Sequence, residues 1–171
     1  MKTINLTRGM VALVDDEDHA EIAQYKWSVV KSDTKFYARR TVAGKKVLMH
    51  RVLLCAQPGQ YVDHIDGNSL NNVRANLRIC TNSQNIANSS YPSPWPYRGV
   101  HLDKSVKASG RPWIAKAECL GTVYRLGSFQ TAEEAARAYD RKALELWGAF
   151  ARVNFPGQSE SVAAVSASGA A

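Results

Sequence analysis

Three prolines in seven residues, in the stretch YPSPWPY at 91–97, constrain the fold of this chain most strongly. Proline lacks a backbone N–H and fixes φ, so neither a helix nor a central strand is expected to run through this stretch. The chain has 171 residues, enough for one ordinary domain or two small ones. The sequence therefore predicts two folding regions, residues 1–90 and 97–156, joined by a stiff Pro-rich linker at 91–96.

The two ends of the chain carry less information. Residues 157–171, GQSESVAAVSASGAA, are small and polar without a periodic apolar face, which predicts a disordered tail. No run of about eighteen apolar residues exists, so no membrane span is expected. The N-terminal MKTINLTRGM has one lysine and no apolar segment after it, which is unlike a secretory signal. A cytoplasmic location is the resulting expectation.

Both regions are basic. The formal net charge is +7, with twelve Lys and Arg against eight Asp and Glu in residues 1–96, and ten against six in residues 97–156. Lysine and arginine replace the counterions condensed on phosphates, so this charge favours a nucleic-acid partner without identifying one.

The N-terminal region reads as strands, because its apolar runs are rich in β-branched and aromatic residues. These runs are MVALV, KWSVV, FYARRTV and KKVLMHRVLL. A short helical turn is predicted within DDEDHAEIAQY, whose acidic start suits a helix N-terminus. Its four contiguous acidic residues, Asp15, Asp16, Glu17 and Asp18, could form a metal site, but a solvated turn is preferred because neighbouring side chains point apart.

The C-terminal region reads as three strands followed by a helix. The strands are YRGVHL, WIAKAECL and TVYRLGSF, and the helix is TAEEAARAYDRKALELWG. Thr131 and Glu134 form a capping box at its start, and Gly148 ends it. Small residues on one face of the second strand allow the alanine-rich helix to approach the sheet closely. The opposite face of the sheet, with Lys116 and Arg125, is then left free.

The segment 62–85, VDHIDGNSLNNVRANLRICTNSQN, places six asparagines behind Asp63 and His64. Asp63 offers a carboxylate and Asn85 an amide oxygen, and two protein oxygens suffice for Mg²⁺, which keeps several waters. His64 can take a proton near neutral pH. These are the groups that metal-assisted hydrolysis of a phosphodiester needs. The other asparagines suit the tight loop DGNSLNN, since Asn bonds to its own backbone.

The main difficulty lies in the adjacency of Asp63 and His64. Neighbours on a strand point to opposite faces, so the two converge only if the chain twists or bulges there. The alternative is that they merely form a surface turn, which the whole pattern disfavours.

The pattern DHIDGN, then NN, NL and a C-terminal N, resembles the HNH nuclease motif, and most closely its asparagine-rich subgroup in phage and intron-encoded homing endonucleases. The resemblance implies an α+β fold with a ββα-metal finger at about 61–90, formed by YVDHI, NLRIC and TNSQNIANS. It implies that Asp63 binds the metal and His64 is the general base. Asn76 would pin the loop so that His64 is oriented, and Asn85 would complete the metal site.

Many HNH enzymes have histidine where this chain has Asn85. An amide oxygen suits Mg²⁺ or Mn²⁺ better than Zn²⁺, so Mg²⁺ or Mn²⁺ is the expected cofactor, with no small-molecule cofactor. Upstream, MHRVLL resembles the lead-in of the same subgroup, in which His50 and Arg51 would touch either phosphate or the finger loop.

Residues 97–156 resemble the Apetala/ethylene-response-factor DNA-binding domain through LGSFQTAEEAARAYDRKA and the closing NFP. The resemblance implies a three-stranded antiparallel sheet packed on one helix, with the free face of the sheet in the major groove. Arginine or lysine there could read guanine, and a glutamate could accept from cytosine. The implied face residues are Arg98, His101, Lys116, Glu118, Val123 and Arg125, and Lys104, Lys107 and Arg111 would add phosphate contacts from a loop.

The leading interpretation is a metal-dependent HNH DNA endonuclease of the homing type, positioned on double-stranded DNA by its C-terminal domain, in the cytoplasm of a bacterium or a phage-infected cell. One finger cuts one strand, so a monomer would nick, and double-strand breakage would need a homodimer or two binding events. Two alternatives stay open: a non-catalytic DNA-binding regulator with a degenerate finger, and an RNA-directed nuclease or RNA-binding module. Plasmid nicking tests the first, and competition by structured RNA tests the second.

Overall fold

The computed structural model of the chain describes residues 1–89, 94–103, 105 and 110–157. The chain divides into two compact units, Met1–Asn88 and Ser89–Ala171. The fold class is α+β, as the sequence predicts, with short helices and several antiparallel sheets. Lys104, Lys107, residues 91–93 of the expected linker and residues 158–171 of the expected tail lie outside the described residues.

The first unit contains three antiparallel sheets and three short helices. A two-stranded sheet pairs β1 with β2, a three-stranded sheet has the order β3-β4-β5, and a hairpin pairs β6 with β7. In chain order the elements are β1 (Lys2–Asn5), β2 (Val11–Val14), α1 (Asp16–Ile22), β3 (Ser28–Ser32), β4 (Lys35–Val42), β5 (Lys45–Leu48), α2 (Met49–Leu53), β6 (Tyr61–His64), β7 (Leu77–Cys80) and α3 (Asn82–Asn88).

One hydrophobic core joins these elements. Val14 of β2 and Met49 of α2 are completely buried in it, and Val62 of β6 and Leu77 of β7 belong to the same cluster. The hairpin β6–β7 therefore packs on the same core as the N-terminal sheets. Because closely packed interiors are stiff, this core supplies a rigid support for the segment that carries Asp63 and His64.

The predicted strand KKVLMHRVLL is wrong beyond its first four residues. β5 ends at Leu48 and α2 begins at Met49. Met49 and Leu53, four residues apart, both enter the core, which is the spacing of one helical face. A short apolar run does not distinguish a strand from a buried helical turn by periodicity alone.

The solvated turn expected at the acidic cluster is also wrong in part. These residues start α1, and Asp18 is buried. The Asp18 carboxylate accepts two hydrogen bonds from Arg74, from Nε at 2.8 Å and from Nη2 at 2.7 Å. The acidic start of α1 therefore forms an ion pair with Arg74, which lies in the loop between β6 and β7.

The second unit is a three-stranded antiparallel sheet of order β10-β9-β8 with one long helix. Its elements are β8 (Val100–Leu102), β9 (Trp113–Cys119), β10 (Thr122–Phe129) and α4 (Ala132–Trp147). Ala115 of β9 and Ala135 and Ala136 of α4 are completely buried, so the small residues bring the helix close to the sheet. The capping box at Thr131 is present, and Gly148 ends the helix at φ +53°.

None of the helices among the described residues combines the length and the apolar content that crossing a membrane requires.

Candidate active site

The hairpin β6–β7 and the helix α3 that follows it bring the polar residues of the asparagine-rich segment together. Asp63 pairs directly with Arg78 across the hairpin, and His64 pairs with Leu77. Asp63 and His64 are each only 5% exposed. A buried carboxylate and a buried imidazole both need polar partners, since an unpaired polar group in the interior costs folding free energy.

Asp63 has two such partners, and the sequence analysis named neither. Nε and Nη2 of Arg78 lie 2.9 and 2.7 Å from Oδ2 of Asp63. The side-chain amide of Asn88, on α3, donates to Oδ1 at 2.9 Å and to Oδ2 at 3.0 Å. It also donates to the backbone oxygen of His64 at 2.9 Å. Asn88 therefore fixes the last turn of α3 against the end of β6.

The His64 ring faces a different set of residues. Its Nε2 lies 3.4 Å from Oδ1 of Asn72, which is completely buried. The Asn72 amide nitrogen donates to the backbone oxygen of Leu70 at 3.2 Å, which fixes the orientation of that amide. An amide oxygen only accepts, so a hydrogen bond here requires the tautomer with its hydrogen on Nε2 and its lone pair on Nδ1. This tautomer can accept a proton at Nδ1.

Burial lowers the pKa of His64 below its ordinary value. The contact with Asn72 and the charge of Asp66 oppose this shift, whereas the charge of Lys35 adds to it. At neutral pH the imidazole is therefore uncharged, which is the form that a general base must have.

Two more aromatic rings enclose His64. The ring of His50, from α2, lies edge-on with its centroid 5.1 Å away, and the ring of Tyr37, from β4, lies 6.3 Å away. His50 is itself buried, and its pKa is lowered to about 3, first by burial and then by the charges of His64 and Arg51. Residues from two elements before the finger thus form one wall of the site.

Asn76 lies in the loop that it was predicted to pin. Its amide nitrogen donates to Oδ1 of Asp66 at 2.9 Å and to the backbone oxygen of Asn71 at 2.8 Å. Its amide oxygen accepts from the backbone N–H of Asp66 at 3.0 Å. Burial alone would raise the pKa of Asp66, but hydrogen bonds from Asn71, Asn68 and Asn76 hold it below its ordinary value. The asparagines are thus crowded here because hydrogen bonds from their side-chain amides hold the loop together.

Contacts with three earlier elements attach this loop to the rest of the first unit. The Ser69 hydroxyl donates to the backbone oxygen of Phe36 at 2.6 Å. The backbone N–H of Asn72 donates to the oxygen of Leu13 at 2.8 Å. Arg74 donates through its backbone N–H to Asp15 at 2.7 Å, in addition to its ion pair with Asp18. The loop that carries Asn72 is therefore held from three earlier elements.

Asn85, the fourth residue named from the motif, is half-buried on α3. It precedes Asn88 by three residues, so the two side chains lie on neighbouring positions of one helix face. The i, i+3 spacing of these asparagines is a signal by which Asn88 could have been found from the sequence. For Asn72 there is no such signal, because its neighbour Asn71 is the same residue type.

Arg51, expected to touch either phosphate or the finger loop, contacts the backbone of the turn before β6. Its guanidinium donates to the backbone oxygens of Gln60 at 2.6 Å, Gln57 at 2.9 Å and Ala56 at 3.3 Å. These residues lie in the turn that leads into β6. Arg51 therefore shapes the start of the finger.

The side chains at Asp63 suit a hard divalent cation by donor type. Carboxylate and amide oxygens are the ligands that Mg²⁺ and Mn²⁺ favour. Among the residues that the structure describes, no three His, Cys, Asp or Glu side chains are grouped in a metal-binding arrangement. The carboxylate of Asp63 already faces a positive charge, that of Arg78. The groups that face this carboxylate are hydrogen-bond donors, the Arg78 guanidinium and the Asn88 amide nitrogen, so a metal would have to replace at least one of them.

In the second unit, the side of the sheet away from α4 carries most of the residues expected there. Lys116 pairs with Arg125, Glu118 with Val123 and His101 with Ile114. Lys116, Glu118 and Arg125 are exposed, and His101 is half-buried with its pKa lowered by burial and by Lys116. Directly opposed residues of an antiparallel pair share one face.

Arg98 is not on this face, so that placement is corrected. It lies in the turn before β8, where Nε donates to the Tyr139 hydroxyl at 2.8 Å and Nη1 donates to the backbone oxygen of Ser89. These contacts direct the guanidinium toward α4, because Tyr139 is one of the helix residues buried there. Arg111 is exposed just before β9.

Comparison with known proteins agrees with this geometry. A protein-family model described as HNH endonuclease matches residues 57–87, which contain the hairpin and nearly all of α3. An uncharacterized HNH endonuclease of Acanthamoeba polyphaga mimivirus is 33% identical over 152 residues, covering 86% of this chain and 76% of the relative. This chain belongs to the HNH endonuclease family. The prediction of a nuclease enzyme is thereby confirmed, and HNH nucleases act on DNA and generally use divalent metal ions.

Proposed function

We propose that this HNH endonuclease hydrolyses phosphodiester bonds in duplex DNA with Mg²⁺ or Mn²⁺, as an enzyme of the homing type with a ββα-metal finger at about 61–90. The observation that carries the proposal is the state of His64. Its imidazole is buried, uncharged at neutral pH and oriented by Asn72, and the residue before it in the chain, Asp63, is a buried carboxylate. A surface turn would need none of these contacts.

His64 is the general base of the proposed reaction. Its Nδ1 takes a proton from the water that attacks the scissile phosphorus, and the 3′ oxygen then leaves. Asn72 keeps the required tautomer, and Asn76 keeps the loop in shape. Asp63 and Asn85 would hold the divalent ion, which supplies positive charge that polarises the phosphate and stabilises the leaving oxygen.

The second unit is proposed to position the enzyme on DNA as a domain similar to the Apetala/ethylene-response-factor DNA-binding domain. Support comes from the exposed row of Lys116, Glu118 and Arg125 on the side of the sheet away from α4. Lysine and arginine can read guanine edges in the major groove, and glutamate can accept from cytosine. His101 and Arg111 would extend the contact.

A single finger offers one base and one metal position, so the monomer is proposed to nick one strand. Double-strand breakage would need a second copy or a second binding event. For a homing enzyme, mapping the cleavage ends on a randomised duplex library should give one long preferred site. Cleavage without sequence preference would contradict the homing assignment.

The proposed function is tested on supercoiled plasmid DNA with the full chain. With Mg²⁺ or Mn²⁺ we expect conversion to the nicked circle, and with EDTA we expect a gel shift without cleavage. Protein that shifts the plasmid but leaves it supercoiled with either metal would contradict the nuclease proposal for this chain.

A further inference from the structure

Arg78 makes the closest charged contact of the proposed metal ligand. It lies directly opposite Asp63 on the neighbouring strand, and its Nη2 is 2.7 Å from Oδ2. The Arg78 side chain is 18% exposed, whereas Asp63 is almost completely enclosed. Together with the amide of Asn88, the guanidinium occupies both oxygens of the carboxylate.

A divalent cation would compete with this guanidinium for Oδ2, the oxygen on which both of the Arg78 contacts converge. A buried carboxylate needs a positive partner, and Arg78 provides one without a metal. Two cations on one carboxylate would lie within a few ångströms of each other, where like charges repel strongly at low dielectric. The metal can therefore bind Asp63 fully only when Arg78 has given up its contact.

We propose that Arg78 is a resident cation that the metal displaces from Asp63, and that the displaced guanidinium binds a backbone phosphate of the DNA. The inference rests on the proposed function, since it takes Asp63 as a metal ligand. A guanidinium suits this exchange, because its planar fork bonds carboxylate and phosphate in the same way.

One consequence is a coupling between metal and DNA. Without DNA, metal binding at Asp63 deprives the Arg78 guanidinium of its carboxylate partner, so the metal binds weakly. With DNA, a backbone phosphate pairs with the guanidinium in place of Asp63, so the metal binds more tightly. By linkage, the metal strengthens DNA binding by the same factor.

The test is a titration of the full chain with Mn²⁺, with free Mn²⁺ followed by electron paramagnetic resonance. Arg78→Gln removes the competing charge, and we expect it to bind Mn²⁺ at least about tenfold more tightly than the unchanged protein. Arg78→Lys keeps the charge and should stay near the unchanged protein. Arg74→Gln is the matched control, since Arg74 pairs with Asp18 in the same finger, and it should leave Mn²⁺ affinity unchanged. Urea denaturation of each variant verifies that it is folded.

The second arm adds duplex DNA in a His64→Ala background, which prevents cleavage. We expect DNA to tighten Mn²⁺ binding clearly with Arg78 present and little with Arg78→Gln. Unchanged or weaker Mn²⁺ binding in folded Arg78→Gln, or equal tightening by DNA in both, would overturn the inference.

Asp63→Asn separates this inference from the function on which it rests. If Asp63→Asn loses Mn²⁺ binding while Arg78→Gln leaves it unchanged, only the exchange fails. If Asp63→Asn binds Mn²⁺ as well as the unchanged protein, the assignment of Asp63 as a metal ligand is itself wrong.

Discussion

The orientation of the His64 ring is fixed by residues that only the folded chain brings next to it. Asn72 determines which ring nitrogen carries the hydrogen, and His50 packs against the ring face. The amide of Asn72 is in turn oriented by Leu70. In the proposed reaction Asn72 is therefore a positioning residue, which acts on the chemistry through the imidazole of His64.

Asn72→Ala should lower both stability and rate. It leaves a buried N–H of His64 and the oxygen of Leu70 without their partner, at a cost of about 1–3 kcal/mol in the free energy of unfolding. The nicking rate at saturating Mg²⁺ should fall by about tenfold or more, because the ring loses its fixed tautomer. Urea denaturation and nicking rates measure the two effects, with the exposed Asn82→Ala as control. A stable variant with an unchanged rate would contradict the positioning role.

His50 should make stability depend on pH. Its pKa is about 3 in the folded protein against 6.5 for the ordinary side chain, so between these values the unfolded chain binds a proton that the folded chain does not. The free energy of unfolding therefore falls as the pH drops from about 6.5 toward 3. Urea denaturation at several pH values should give a smaller slope for His50→Gln. His64, Asp66 and His101, whose pKa values are also lowered, would contribute to the remainder. An unchanged slope would contradict the burial of an uncharged His50.

At the scale of residues, the sequence indicates the types and spacing of the candidate site residues better than it indicates their hydrogen-bond partners. The motif alone names Asp63, His64, Asn76 and Asn85, and Asn76 makes its hydrogen bonds within the loop that it is predicted to pin. Asn71 and Asn72 are indistinguishable in the sequence, yet only Asn72 is completely buried. The difference arises from backbone bonds to Leu13, far earlier in the chain, which no local pattern contains.

At the scale of elements, long periodic segments are predicted well and short ones poorly. The helix α4 has the predicted capping box and glycine stop, because sixteen residues give the 3.6-residue period enough repeats. The change from β5 to α2 at Met49 is missed, because the helix has only five residues. In such a short segment, tertiary packing decides whether the chain is helical, because the helix places Met49 and Leu53 in the core.

The packing of β8 on α4 depends on one glycine. Gly99 has φ +72°, and a Cβ there would lie 1.9 Å from Cδ2 of Tyr139. Gly99→Ala should therefore destabilise the second unit by more than the backbone cost of about 1 kcal/mol alone. Gly121→Ala is a matched control, since Gly121 has φ +78° with no atom within 4 Å, and it should show only that backbone cost. Urea denaturation compares them, and equal losses would contradict a steric role for Gly99.

At the scale of the molecule, the chain has two units, Met1–Asn88 and Ser89–Ala171, each with its own hydrophobic core. Charge alone does not say which unit carries the chemistry. The division of tasks between a cutting unit and a DNA-positioning unit is thus the part of the proposal that needs an experiment on the whole chain.

Removing the charges of the open sheet face should weaken DNA binding without affecting the reaction. The full chain with Lys116→Ala and Arg125→Ala should lose site-specific affinity by about tenfold or more, while its nicking rate on saturating DNA stays near that of the unchanged protein. Arg141→Ala with Arg152→Ala, which also removes two exposed positive charges, is the control for net charge. Electrophoretic mobility shifts at fixed salt measure the affinity. A loss as large in this control would indicate a purely non-specific effect.

The central claim, that His64 is the base which activates water for cleavage of DNA, is tested most directly by single-turnover nicking with Mg²⁺. The comparison is between the unchanged chain, His64→Ala and His19→Ala, which removes a histidine on α1, outside the finger. We expect His64→Ala to lose at least about a hundredfold in rate with nearly unchanged DNA affinity, while His19→Ala nicks normally. A His64→Ala protein that nicks within a few-fold of the unchanged chain would contradict it.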